Sequence, residues 1–233
     1  KPEVVRVMKK YHFDEMAEQV LISYPVEMRD VQYHLWMGNY NEALELDPNN
    51  EKALTERARY YFEEGMYESA DNDYECLLLL HPNKVSYMLN KAVCLVNMDE
   101  YEDALKLLYQ LNYEHAEDIN IQRVLAWALT CDGKMAQAEK IYRELMTAKA
   151  PSSEDYQNYA TCLWLLGKTE EAAQHFGKYL EAEDNTYYAM DEAFDHQWLH
   201  DRGISEIDIK MMKALILSTG VRLQNKAHDD LPF

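Results

Sequence analysis

The residues with the most obvious chemical potential are two histidines four apart, in the run His196-Gln197-Trp198-Leu199-His200. On a helix this spacing puts both imidazoles on one face, as a helix offers two nitrogens to a metal, and Glu192 lies one turn earlier on that face. A hydrolytic centre of this kind also needs a carboxylate base beside its first histidine, and Gln197 holds that position. The pair therefore reads as solvated or helix-capping histidines. A metal-dependent hydrolase using His196 and His200 is the enzyme alternative, and it would need a third ligand. Paired carboxylates such as Glu63-Glu64, Asp99-Glu100, Glu117-Asp118 and Glu170-Glu171 fall at or near turns and helix starts. Those at helix starts complement the helix dipole, and all favour solubility. No Ser-His-Asp set, Gly-rich phosphate loop or dinucleotide fingerprint is readable. Cys76, Cys94, Cys131 and Cys162 are widely spaced and read as free thiols in a reducing compartment. No catalytic residue, metal or cofactor is expected.

Composition narrows the class. Among 233 residues, 23 basic and 42 acidic side chains give a net charge of −19, a field that repels the phosphates of nucleic acids and the headgroups of anionic membranes. With 48% of the chain apolar it can bury a core. Only 7 Gly and 6 Pro are few for the turns of an all-β protein, so a helical fold is expected. No apolar run approaches the ~20 residues that span a bilayer. The free thiols, and the lack of an apolar signal core in the first ten residues, point to the cytoplasm. The chain begins with Lys1 rather than Met, so a removed leader is compatible with that reading.

The elements that must position any site show themselves as a repeat. Four blocks, 51–84, 85–118, 119–152 and 153–186, align without insertion at a period of 34 residues. The eighth place of each block is Ala58, Ala92, Ala126 and Ala160, and the twentieth is Ala70, Ala104, Ala138 and Ala172. Large residues recur beside them: Tyr74, Leu108, Tyr142 and Phe176 at the twenty-fourth place. Between the halves lie Glu64-Gly65, Met98-Asp99, Asp132-Gly133 and Leu166-Gly167, suited to the left-handed residue that ends a helix. Each block is thus a helix, a turn and an antiparallel helix, which gains stability by stacking on its neighbours.

Period, turn and small-large-small pattern resemble the tetratricopeptide repeat family. The resemblance covers about three fifths of the chain. The fourth place, often Trp in the family, departs as Leu54, Met88, Gln122 and Tyr156, and the closing Pro is replaced by Ala116, Ala150 and Asp184. It implies an all-α, right-handed superhelical solenoid of stacked antiparallel helix hairpins. Residues 1–50 read as atypical N-terminal helical units, with a short second helix between Gly38 and Pro48. Residues 187–220 read as C-terminal capping helices: one from Tyr187 to Asp201, then one from about Glu206 to Ser218 behind a capping box of Ser205 and Asp208. Residues 221–233 carry no period and read as a mobile tail. Met190, Met211 and Met212 read as core fillers.

The resemblance also implies a concave groove lined by the first helix of each block. Its groove-facing places include Lys52, Thr55 and Arg59, then Asn90 and Asn97, then Arg123, Trp127 and Cys131, then Gln157, Asn158 and Trp164. Lys52, Arg59, Asn90, Asn97, Arg123, Trp127, Asn158 and Trp164 are the expected contacts to a peptide or partner protein. Amides and Arg would address backbone and carboxylate groups, and the Trp rings would be anchors. Family members that clamp chaperone tails carry further Lys and Asn; only Asn90 matches, while Thr55, Arg59, Asn120 and Val124 depart. A non-catalytic interaction scaffold or adaptor is the expectation, with a chaperone-like secretion or assembly helper that shields an apolar client segment as the alternative. Neither nucleic acid nor membrane is expected as a partner, and oligomeric state is left open.

Overall fold

The computed structural model describes residues 5–6, 8, 10, 13–23, 25, 29–147, 151–184 and 186–223. Among them the regular elements are helices: α1 (Asp14–Ile22), α2 (Val31–Met37), α3 (Tyr40–Leu46), α4 (Glu51–Glu63), α5 (Tyr67–Leu80), α6 (Val85–Asn97), α7 (Tyr101–Glu114), α8 (Ile119–Cys131), α9 (Met135–Met146), α10 (Ser153–Leu165), α11 (Thr169–Ala182), α12 (Tyr187–Glu192), α13 (His196–His200) and α14 (Glu206–Ser218). The all-α expectation holds. The chain forms two compact units, Lys1–Leu107 and Leu108–Phe233. The expected mobile tail lies, from residue 224 on, outside the described residues.

The turn chemistry explains why helices alternate at this spacing. Gly65, Gly133 and Gly167 adopt φ of 71, 77 and 76°, the left-handed region, and Asp99 takes the equivalent turn at φ 61°. Asn50, Asp118 and Ser152 cap the following helices, each accepting a backbone N–H of the first turn. All eight in-register alanines are wholly buried, which lets paired helices approach closely, while Tyr74, Leu108, Tyr142 and Phe176 fill the space beside them. The upstream hairpin is short, with α2 and α3 of 7 residues each turning at Gly38.

The C-terminal segment corrects the sequence reading. In place of the one helix expected from Tyr187 to Asp201, the chain breaks after Glu192. Asp195 accepts the N–H of Trp198 and starts α13 afresh, the competition with helical backbone bonding that short acidic side chains offer. The Ser205–Asp208 capping box is present, and α14 packs on α11. Met190 and Met212 are core, but Met211 is exposed, because α14 buries only one face.

Candidate functional site

Each unit carries a face made of first helices. In the first unit, the Tyr87 hydroxyl ties α6 to α4, donating to Glu51 Oε1 at 2.5 Å and lying 3.4 Å from Thr55 Oγ1. Lys52 and Arg59 on α4, and Asn90 and Asn97 on α6, are all exposed. Arg59 is engaged by its own helix, 2.6 Å from Glu56 and 3.7 Å from Glu63, an exposed arrangement a ligand carboxylate can exchange into at little cost. Asn90 donates to the Tyr74 hydroxyl at 3.2 Å and Asn97 to the Val93 carbonyl at 2.8 Å, which fixes both amides on this surface. Behind the face, Arg57 grips the buried Asp73 at 2.8 and 2.6 Å.

In the second unit the expected contacts divide. Arg123 on α8 makes a bidentate pair with Asp155 on α10, at 2.8 and 2.7 Å, and the Asp155 side chain is 4% exposed. Burial pushes the Asp155 carboxyl up, but the Arg123 guanidinium and the N–H and hydroxyl of Ser152 outweigh it and hold the group below its ordinary value. Arg123 is therefore committed to holding α10 on α8, a structural duty that its repeat position does not reveal. Trp127 is half-buried and stacks on Trp198, centroids 5.2 Å apart at 27°. Asn158 is half-buried on α10. Trp164 departs from expectation: it is 8% exposed, edge-on to Phe176 and Phe194, and belongs to the core.

The histidine pair finds a carboxylate, though not Glu192. His196 Nδ1 lies 2.7 Å and His200 Nε2 3.3 Å from the same oxygen of Glu206, at the start of α14. Among the described residues no group of three His, Cys, Asp or Glu is placed to hold a metal ion. Cys94, Cys131 and Cys162 are buried free thiols; burial pushes Cys94 to about 12 and Cys162 to about 11, so neither is a thiolate nucleophile at neutral pH. No helix among the described residues is long and apolar enough to cross a membrane.

One half-buried base lies off these faces. His175 on α11 sits 4.6 Å from the Tyr159 ring, its Nδ1 without a hydrogen-bond partner, and burial aided by Lys178 pushes its pKa down to about 4. A base depressed in the folded state leaves the unfolded chain binding more protons between about pH 4 and 6.5, so stability falls as pH drops through that window. Acidification from pH 7.5 to 5 should cost about 1–2 kcal/mol, after allowing for partial exposure. Thermal unfolding at both pH values should show this loss, and His175→Phe should remove most of it; an unchanged pH dependence in the variant would refute the assignment.

Comparison with known proteins agrees with this geometry. A tetratricopeptide-repeat model matches residues 39–72. The DnaJ homolog subfamily C member 3 of Rattus norvegicus is 33% identical over 103 residues, 43% of this chain and 20% of that protein, so the chain spans about a fifth of the length of the curated relative it matches. Among solved structures, a tetratricopeptide repeat protein from Parabacteroides merdae ATCC 43184 superposes with a TM-score of 0.65 at 18% identity, covering 92% of this chain and 96% of that one. YrrB, described as a TPR protein with an unusual peptide-binding site, gives 0.52 at 15% identity over 81% and 87% of the two chains. A thermophilic TPR protein of Thermus thermophilus, TTC0263, gives 0.56 at 16% identity over 81% and 91%. The likeness extends to the stacked helical hairpins that carry the two first-helix faces. The fold is that of the tetratricopeptide-repeat structures on which the chain superposes, and residues 39–72 match the repeat itself.

Proposed function

We propose that this protein is a non-catalytic adaptor that binds a peptide or an extended segment of a partner protein across the first-helix face of its first unit. The observation that carries the reading is the exposed set Lys52, Arg59, Asn90 and Asn97 on α4 and α6, with both amides fixed from within the chain. Amides address the unpaired backbone groups of an extended ligand, and the two cations favour a carboxylate-bearing one. YrrB, with its peptide-binding site, supports the reading by analogy of fold. The buried free thiols suit a reducing compartment.

Display of random peptides on the intact chain tests it directly. Selected peptides should bind the parent and lose about tenfold or more in affinity on the Asn90→Ala, Asn97→Ala double variant, about 1.4 kcal/mol or more. Peptides held equally by both proteins would move the site off this face.

A further inference from the structure

The second unit's face is not bare, because the chain's own C-terminal segment lies on it. Trp198 stacks on Trp127, and the Arg202 guanidinium lies 3.6 Å from the centroid of the Trp198 ring. Arg202 donates from Nη2 to the Cys131 carbonyl at 3.2 Å and from Nη1 to the Trp198 carbonyl at 3.1 Å. Gln157 donates to the Glu192 carbonyl at 3.1 Å, and Phe194 meets Trp164. Trp127, Cys131, Gln157 and Trp164 all occupy places that the repeat pattern turns toward the groove, and Trp127 is among the expected ligand contacts. Contact with α10 is what stacking alone would give, but Trp198 and Arg202 reach α8, 71 positions back, which stacking on the last hairpin does not require.

We propose that the α8–α10 face is a second binding surface, for a short helical segment carrying an aromatic residue and an arginine four positions later, and that residues 195–202 are its resident ligand in cis. The inference rests on the groove reading of these positions. Its chemistry is explicit: Trp127 is the platform for the aromatic ring, and the Cys131 carbonyl accepts from the guanidinium of the ligand. Trp198 lies on α13 and Arg202 in the turn just past it, where the guanidinium folds back over the ring, so ring and guanidinium reach the face together. His196 and His200 stand on the other side and meet Glu206, which ties the segment to α14. A partner with the same aromatic–arginine pattern must displace the segment, and the resident copy sets the threshold. Tethered ligands act at an effective concentration on the order of millimolar, so a free peptide of ~100 μM affinity should be suppressed about tenfold.

The test uses the intact chain and a labelled peptide of its own residues 192–204. The parent should bind it at least about tenfold more weakly than the Trp198→Ala, Arg202→Ala variant, whose face is vacated. Saturable binding to that variant should disappear when Trp127→Ala is added, or when the Trp of the peptide is replaced by Ala. A folded variant that does not bind the peptide, or a parent that binds it equally well, would overturn the proposal. If the variant does not fold, amide hydrogen exchange on the parent decides: residues 195–203 should exchange through a local opening that leaves α10 and α11 protected, and exchange in step with α10 would overturn it. Peptide binding to α4 and α6, read with the Asn90→Ala, Asn97→Ala variant, is independent of these outcomes.

Discussion

Trp164→Ala is expected to destabilise the second unit by about 3–5 kcal/mol, the range for truncating a large aromatic in a close-packed core. The indole meets Phe194 at 5.9 Å and Phe176 at 6.4 Å, both edge-on, and those two rings are 4.9 Å apart. Phe176 sits at the large-residue place of its repeat and Phe194 belongs to the segment after α12, so one indole joins a repeat to the C-terminal segment. Its loss leaves a void beside a cleft lined by Trp164, Met211, Met212 and Leu215, and packed helices refill such space poorly. Against a typical domain stability of about 5–15 kcal/mol, this is a large fraction. Urea unfolding followed by circular dichroism should shift strongly for Trp164→Ala and by about 1–2 kcal/mol for the half-buried Trp127→Ala. Equal, small shifts would return Trp164 to the exposed surface that its repeat position suggests.

The contrast between these tryptophans marks where sequence reasoning succeeds and where it stops. The 34-residue register was legible because it is written in side-chain size: every in-register alanine proves fully buried, and Gly or Asp stands at each left-handed turn. Helix direction and pairing follow from that local code. Which residue of a first helix faces out depends on what lies beyond it, and that is not local. Trp164 is covered by Phe194, thirty positions on, and Trp127 by Trp198, seventy-one positions on. The signal for the latter is the aromatic–arginine pair Trp198 and Arg202 at a spacing of four, in the same run as the histidines. Asp155 was hidden for a related reason. Ser152 and Asp155 have the spacing of a capping box, yet the same carboxylate also receives Arg123 across 32 positions, and no period predicts such a pair.

That pair yields the second large expected effect. Arg123→Ala should destabilise the second unit by about 2–4 kcal/mol, less than a fully buried pair costs because Arg123 is a third exposed. The loss arises less from the attraction removed than from the carboxylate left behind, which would keep the backbone N–H of Ser152 at 2.8 Å but no counter-charge in a site 4% exposed. Asp155→Asn should therefore recover part of the stability lost in Arg123→Ala, since a neutral amide leaves no buried charge and its oxygen can still accept from Ser152. Arg123→Lys should recover little, because one ammonium cannot reproduce two parallel N–H contacts. The pH dependence has a definite sign. A carboxyl held below its ordinary value of 3.8 contributes stability that is present above that pH and lost as pH falls through its folded value. Without Arg123, burial dominates and the carboxyl titrates higher, so the acid unfolding limb of the variant should begin at a higher pH than in the parent. Urea midpoints from pH 7 down to 3 for the four proteins measure all of this. A variant Arg123→Ala as stable as the parent at every pH would show that the guanidinium is free to serve a ligand, as its repeat position alone implies.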